Sequence, residues 1–292
     1  TVEYFELPSY DISYGKNLKW SLLLKTTTII RAVKKEQEII QSYIEKTKNI
    51  AGIISDNRFG CYSKQLPSVY MTHQLNVLSG FLTPILSYFH QQIIRKYDEC
   101  WIPDEENSLF SGKLSRSSKN LHQKYIGVLS RFEKQELPLE IDVLILLSGP
   151  EPNRTQLEDK LKEIFKTSNK RVCLIQGKVE ETQKITQLHQ LKIVNFMLSD
   201  ELEHTINSSK IIICRAGYSS ILDLVSLNKE ALLIPTKYQN EQEYLAKYLQ
   251  EKGVFSFIEE KDIDKKIVNI SIKPSVTGFK KQEFNTDLFY LF

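Results

Sequence analysis

A short segment in the second half of the chain combines a glycine turn, two hydroxyl residues and a carboxylate. A β-branched run at 211–214 precedes Gly217, and Ser219, Ser220 and Asp223 follow in a stretch with helical apolar spacing. This order predicts a strand that leads through a turn into a helix. The first N–H groups of a helix are unpaired and lie at the positive end of its dipole, so they favour an anion. A glycine at the turn lets the anion approach the backbone. The segment therefore predicts a diphosphate site, with an ordinary helix N-cap as the alternative.

A second polar group is expected beside this turn. Residues 231–235 have the pattern of a buried strand, and Gln239, Gln242 and Glu243 follow at the start of the next helical stretch. Ligands of parallel α/β sheets bind outside the carboxyl ends of the strands. We expect these three side chains to border the same crevice.

The composition is that of an ordinary globular protein. The chain has 292 residues, 41% of them apolar and 26% charged, which is enough for two domains with separate cores. Basic residues are dispersed and balanced by 36 acidic ones, so no nucleic-acid partner is expected. The four cysteines are scattered, which predicts a reducing, cytoplasmic compartment, with Cys173 and Cys214 buried as small apolar side chains.

Helical and strand-like segments alternate along the chain. A long helix is predicted at 18–46 and further helices at 199–207 and up to residue 165. Predicted strands lie at 50–56, 68–72, 99–103, 123–127, 142–147, 171–177, 193–197, 211–214 and 231–235. This alternation predicts an α/β protein with parallel sheets, built as two Rossmann-like domains that face one cleft. We assign residues 1–130 to the N-terminal domain, 131–140 to a linker, 141–275 to the C-terminal domain and 276–292 to a closing segment.

Two motifs of the second half resemble the nucleotide-sugar half of family 28 glycosyltransferases, among them the N-acetylglucosaminyltransferases of peptidoglycan synthesis. They are Arg-Ala-Gly-x-Ser-x-x-x-Asp at 215–223 and Gln-x-x-Gln-x-x-x-Ala at 239–246. The resemblance implies the GT-B fold and a UDP-linked sugar donor such as UDP-GlcNAc. The donor-binding residues that it implies, together with the crevice residues above, are Ser148, Gly149, Asn195, Phe196, Met197, Arg215, Gly217, Tyr218, Ser219, Ser220, Asp223, Gln239, Gln242 and Glu243.

The resemblance also implies roles for these residues. Asp223 would accept from ribose hydroxyls, although the peptidoglycan enzymes commonly have glutamate there. Gln242 and Glu243 would hold the sugar, and residues 195–197 would meet the nucleobase. Arg215 would assist the phosphate or pack on its neighbours. Transfer would invert the anomeric centre and need no metal or other cofactor, because the helix dipole stabilises the leaving diphosphate.

A motif in the first half, His-x-x-Asn-x-x-x-Gly at 73–80, is similar to the acceptor-side motif of the same family. It implies an acceptor side formed by His73, Gln74 and Asn76, with a loop-capping histidine and a helix-capping asparagine as alternatives. The family's usual base lies in a glycine-rich loop that has no counterpart before Gly52, so we expect further strand–helix units to precede Thr1. His73 and Asp56 are the candidate bases within this chain, and an ion pair with Arg58 is the alternative for Asp56.

Residues 65–94 contain no charged side chain, and Arg95 and Lys96 follow them. A buried helix is one explanation, and the other is an apolar face that docks on a membrane with a lipid-linked acceptor. The second would place the protein at the inner face of the plasma membrane. Two other functions fit the same motifs: a nucleotide-sugar epimerase of the same fold, and an inactive module that only binds the nucleotide sugar.

Overall fold

The computed structural model describes residues 3–10, 18–47, 49–116, 121–269 and 285–292, with the side chains of the first helix described from Thr27 onward. The chain divides into two compact units. The first consists of Thr1–Gly127 with Glu283–Phe292, and the second is Val128–Gln282. The predicted linker at 131–140 thus falls within the second unit, and residues 276–284 of the predicted closing segment lie outside the described residues.

The first unit contains a four-stranded parallel sheet whose strands follow one another in chain order. The predicted long helix is confirmed at its predicted bounds. The elements are α1 (Leu18–Lys46), β1 (Ile53–Asp56), β2 (Ser68–Met71), α2 (Thr83–Ile94), β3 (Glu99–Ile102) and β4 (Gln123–Tyr125). Tyr70, Ile94 and Ile102 are buried on the face that α2 covers.

The end of the chain packs on the other face of this sheet. Residues Thr286–Leu291 form a 3-10 helix, and its Leu288 is buried against Val69 and Trp101. The rings of Phe289 and Phe292 meet Trp101 edge to face, with centroids 5.9 and 6.1 Å away. The described part of the predicted closing segment is thus a 3-10 helix that packs on the first unit.

The second unit contains a seven-stranded sheet of order β11-β10-β9-β5-β6-β8-β7, parallel except for β7. Its strands are β5 (Ile141–Leu146), β6 (Val172–Ile175), β7 (Ile185–Leu188), β8 (Leu191–Val194), β9 (Ser209–Cys214), β10 (Ala231–Leu233) and β11 (Ser256–Phe257). Its helices are α3 (Asn153–Phe165), α4 (Ser199–Asn207), α5 (Tyr218–Ser226) and α6 (Asn240–Glu251). The strand order reverses between β5 and β9, where a doubly wound sheet opens its crevice.

The central strands were predictable because helices cover both of their faces, which makes their sequences continuous apolar runs. Cys173 and Cys214 lie in such strands with 2% exposure, which confirms the prediction that they are buried. Sequence reasoning missed β7, whose four residues are all exposed and which pairs antiparallel at the sheet edge. It also missed the two-residue β11.

The segment that begins the second unit is tied to α4. The Glu133 N–H donates to the Glu203 carboxylate at 3.0 Å, and the Gln135 N–H donates to the Asn207 side chain at 3.2 Å. The Asn207 amide in turn donates to the Glu133 carbonyl at 3.0 Å. These bonds hold residues 133–135 against the second unit, although this segment forms neither a helix nor a strand.

Candidate nucleotide-binding site

The predicted donor residues lie on loops and helices that follow parallel strands of the second unit. β9 pairs with β5 on one side and β10 on the other. The loops that follow these three strands carry residues 148–149, 215–217 and 235–239, and they therefore leave the sheet at the same edge. The strand pairing thus places the loops that lead to the two predicted polar groups at one edge of the sheet.

The turn before α5 is open. Gly217 is the N-cap residue, with φ −79° and ψ 137°, and a Cβ built on it would meet no atom within 4 Å. Ser219 is exposed and Ser220 is half-buried, whereas Tyr218 is 5% exposed. Because the cap residue is a glycine, the two hydroxyls lie in the first turn and are not N-caps. The arrangement has the space and the dipole that an anion requires.

Asp223 lies one turn further along the same helix face, since it follows Ser219 by four residues. Its side chain is half-buried, and its Oδ1 accepts a hydrogen bond of 2.6 Å from the Ser130 hydroxyl. Four residues of helix place the Asp223 Cα about 6 Å further along the axis than that of Ser219. No sequence pattern pointed to Ser130.

Arg215 is an internal brace. Its side chain is 1% exposed and pairs with the Glu260 carboxylate at 2.7 Å. It also donates to the Asn153 carbonyl at 3.0 Å and to the carbonyls at the end of β10 at 3.4 Å. These contacts agree with the packing alternative, and they join the ends of β9 and β10 to α3.

Gln242 and Glu243 close the loop that precedes α6. The Gln242 Oε1 accepts from the Thr236 N–H at 2.9 Å, and the Glu243 Oε1 accepts from the Tyr238 N–H at 2.9 Å. Gln239 is the N-cap residue of α6. Glu243 also lines a cavity of about 440 Å³. Its other lining residues are Pro235, Lys237, Tyr238, Lys247, Phe257, Glu259, Glu260 and Lys261.

Asn195 organises the backbone at the predicted nucleobase region. It is 2% exposed, and its side-chain Oδ1 accepts from the N–H groups of Lys184 and Phe196 at 2.7 and 3.0 Å. Its amide donates to Glu180 and to the Thr182 carbonyl at 3.0 and 2.9 Å. The Glu180 pKa is lowered, first by its hydrogen bond from Lys184 and then by that from Asn195.

The contacts of Asn195 match its hydrogen-bonding capacity, so it shapes the loop. Phe196 and Met197, the other two residues of the predicted nucleobase region, are both half-buried. β6 lies between β8 and β5, so these two strands are about 10 Å apart.

The loop after β5 depends on a glycine that sequence reasoning did not single out. Ser148 and Gly149 are exposed, and Gly149 has φ +102°. Gly177, two residues after β6, has φ +66°, and a Cβ on it would lie 2.3 Å from the Leu147 carbonyl oxygen. Only glycine suits this position, and its signal in the sequence is a glycine close behind a buried strand.

In the first unit, the candidates lie at the carboxyl ends of the paired strands β1 and β2, and Asp56 is the last residue of β1. Asp56 is exposed, and the predicted ion pair with Arg58 is wrong, because Arg58 pairs with the buried Glu36. Asn57, which sequence reasoning missed, joins the loop after β1 to β2: its φ is 54°, and its side-chain oxygen accepts from the Tyr70 hydroxyl at 2.9 Å. His73 and Gln74 follow β2 in the second loop, and both are half-buried.

The alternative of a helix cap at Asn76 is also wrong. Its amide donates to the Lys113 and Arg116 carbonyls at 2.9 and 3.4 Å, and α2 begins only at Thr83. Asn76 therefore braces the loop after β3.

The chain is similar in sequence to known proteins. Residues 151–286 match the model of the glycosyltransferase family 28 C-terminal domain. The chain is 22% identical over 219 residues to a UDP-N-acetylglucosamine--N-acetylmuramyl-(pentapeptide) pyrophosphoryl-undecaprenol N-acetylglucosamine transferase of a Sulfurihydrogenibium species, covering 74% of this chain and 57% of the relative. It is 24% identical over 281 residues to the Haemophilus influenzae protein of the same description, covering 91% and 77%.

The fold is shared with solved glycosyltransferases. The glycosyltransferase of kitacinnamycin superimposes with a TM-score of 0.59 at 11% identity, over 86% of this chain and 74% of that one. The fold is thus that of the GT-B glycosyltransferases. Within that class, residues 151–286 match the C-terminal domain of glycosyltransferase family 28.

Proposed function

We propose that this protein transfers a sugar from a UDP-linked donor, such as UDP-GlcNAc, to an acceptor hydroxyl, with inversion and without a metal ion. One observation carries the proposal: the open glycine turn at the N-terminus of α5, at the carboxyl end of β9, with Asp223 one turn along the same face. A nucleoside diphosphate fits both groups: its diphosphate is an anion for the helix N-terminus, and its ribose hydroxyls are donors for the carboxylate. The family 28 match supports the sugar-nucleotide class.

The donor site is tested by calorimetric titration with UDP, with GDP and dTDP as competing nucleotides. We expect saturable binding that prefers UDP and that weakens about tenfold or more in Asp223→Ala, because a ribose hydroxyl loses its charged acceptor. Asp159→Ala is the matched control, since it removes an exposed carboxylate from α3 and changes the net charge equally. Equal affinity in both variants would remove Asp223 from the site.

For the chemical step, we propose that the N-terminal dipole of α5 stabilises the leaving diphosphate, while a base takes the proton of the acceptor hydroxyl. His73, which follows β2, and Asp56, which ends the neighbouring β1, are the candidates for that base within this chain. A product of inverted anomeric configuration by NMR, formed at an undiminished rate in EDTA, is the expected result. Retention, or loss of the rate in EDTA, would contradict this mechanism.

We further propose that the acceptor is lipid-linked and that the first unit contacts the membrane that carries it, at the cytoplasmic face. Within the described ranges, no helix is long and apolar enough to cross a bilayer. The support is an exposed apolar face around α2 with basic residues after it. Its members, between 55% and 76% exposed, are Phe81, Ile85, Tyr88 and Phe89, and Arg95 and Lys96 are exposed beyond them.

Sedimentation with vesicles tests this contact. We expect the protein to bind vesicles rich in anionic lipid and to lose that binding in Phe81→Ser/Phe89→Ser. Tyr290→Ser, at a position 88% exposed outside this face, is the control. Equal sedimentation of the double variant would exclude this face as the membrane contact.

A further inference from the structure

The Ser130 hydroxyl has a defined direction. The Phe132 N–H donates to Ser130 Oγ at 3.1 Å, and the hydroxyl lies 2.6 Å from Asp223 Oδ1. A carboxylate only accepts, so the hydroxyl proton points at Asp223. A hydroxyl–carboxylate bond of this length is charge-assisted and among the stronger kinds of hydrogen bond.

Ser130 is also held in place from both sides. Val128 and Phe132 are buried, with 7% and 2% exposure, and they anchor the backbone on either side of it. The residues that follow are tied to α4 by the bonds of Glu133 and Gln135. The contact therefore joins a fixed segment to α5 across 93 positions of the sequence.

We propose that Ser130 is a positioning residue that sets the orientation of the Asp223 carboxylate for the ribose hydroxyls of a nucleoside diphosphate. This rests on the proposed donor site. Aspartate has a shorter side chain than glutamate, so its reach depends on its rotamer. With Oδ1 bonded to Ser130, the rotamer of the carboxylate is set before a ligand arrives, so binding a ribose diol requires less ordering. The ligand class is a nucleoside diphosphate with an intact ribose.

The test compares UDP with 2′,3′-dideoxy-UDP by calorimetry. We expect Ser130→Ala to weaken UDP about tenfold and to leave the affinity for the dideoxy nucleotide unchanged, because only the diol uses the carboxylate. Ser130→Thr keeps the hydroxyl and is expected to restore UDP binding. In Asp223→Ala, the further change of Ser130 to alanine is expected to have no effect on UDP affinity.

Ser168→Ala is the matched control. The Ser168 hydroxyl accepts from the Lys170 N–H two residues on, at 3.1 Å, as Ser130 does from Phe132. We expect its loss to leave both affinities unchanged. Unfolding of every variant at the temperature of the unsubstituted protein shows that the fold is kept.

Three results would overturn the assignment. An equal loss for both nucleotides in Ser130→Ala would mean that Ser130 only supports the fold of the site. Unchanged UDP affinity in Ser130→Ala, beside a loss in Asp223→Ala, would leave the donor site standing and remove Ser130 from it. Absence of UDP binding to the unsubstituted protein would contradict the donor site itself, and the role of Ser130 with it.

Discussion

Substitution of Gly217 distinguishes a ligand-binding role of its turn from a structural one. Alanine adopts φ −79° and ψ 137° without strain, and its methyl group would meet no atom within 4 Å. We expect Gly217→Ala to leave the free energy of unfolding unchanged or raise it by about 0.5 kcal/mol. UDP affinity should fall about tenfold or more, because the methyl group lies where the diphosphate would approach the backbone. Thermal unfolding and calorimetry measure the two effects.

Gly253, just after α6, offers the opposite control. Its φ is +69°, and it too has no atom within 4 Å of a built Cβ. Gly253→Ala should cost about 1 kcal/mol in stability through backbone strain and leave UDP affinity intact. If Gly217→Ala instead destabilised the protein and kept its nucleotide affinity, the turn would be structural.

For Arg215 we expect the opposite result, a loss of stability and not a direct loss of nucleotide binding. Its guanidinium is buried against Glu260 and backbone carbonyls. We expect Arg215→Met to lower the free energy of unfolding by roughly 3 kcal/mol, since it leaves the Glu260 carboxylate and these carbonyls without their donor. Urea unfolding measures the change. In a Glu260→Gln background the cost should be smaller. Full stability with lost UDP binding would instead support direct contact with phosphate.

At the scale of elements, α2 has two different faces. Outward it exposes aromatic and aliphatic side chains, and inward it buries His90 between the rings of Phe59 and Tyr70, at 5.7 and 5.9 Å between centroids. The His90 Nε2 has no hydrogen-bond partner among the residues that the structure describes. Burial lowers the pKa of His90 from 6.5 to about 4. The helix therefore requires a neutral imidazole.

This requirement predicts a pH dependence. The unfolded chain takes up a proton near pH 6.5 and the folded one only near pH 4, so stability is complete above pH 6.5 and falls as the pH drops through that window. Between pH 7 and 4, we expect the stability of the protein to lose about 3 kcal/mol relative to His90→Leu. Urea unfolding at a series of pH values measures the difference. His122→Leu, at an exposed position of the same unit, should show no such difference. A parallel pH dependence of the protein and His90→Leu would contradict the assignment.

At the scale of the whole molecule, the chain leaves the first unit at Gly127 and returns to it with Glu283–Phe292. The return is specific. A Cβ on Gly52 would lie 1.9 Å from the ring of Phe292, so the ring occupies the space that the glycine leaves. Leu288 is buried beside Trp101. Leu288 and Phe292 thus belong to the hydrophobic core of the first unit.

Leu288→Ala should therefore destabilise the first unit by about 2–3 kcal/mol, the cost of a cavity in a core. Fluorescence of Trp101 in a Trp20→Phe background reports the unfolding of this unit. Tyr290→Ala changes a neighbour that is 88% exposed, and we expect it to stay within about 0.5 kcal/mol. Equal stability of the two variants would show that the terminal segment contributes nothing to this core.

The sequence by itself determined the elements whose signals are local. α1 showed helical spacing, the central strands showed continuous apolar runs, and the turn into α5 showed the order of strand, glycine and hydroxyl residues. Each signal depends on burial and backbone preference within about a dozen residues, which the neighbouring sequence carries. The GT-B fold followed from these signals together with the resemblance.

Only the tertiary structure decided what the polar side chains do. In the folded chain Arg215 is buried against Glu260, and Ser130 is bonded to Asp223 across 93 residues. The amide of Asn195 bonds within its own loop, and β7 pairs at an exposed edge of the sheet. The physical reason is that a polar group's partners are set by which loops and strands become neighbours, and residues so far apart leave no local pattern.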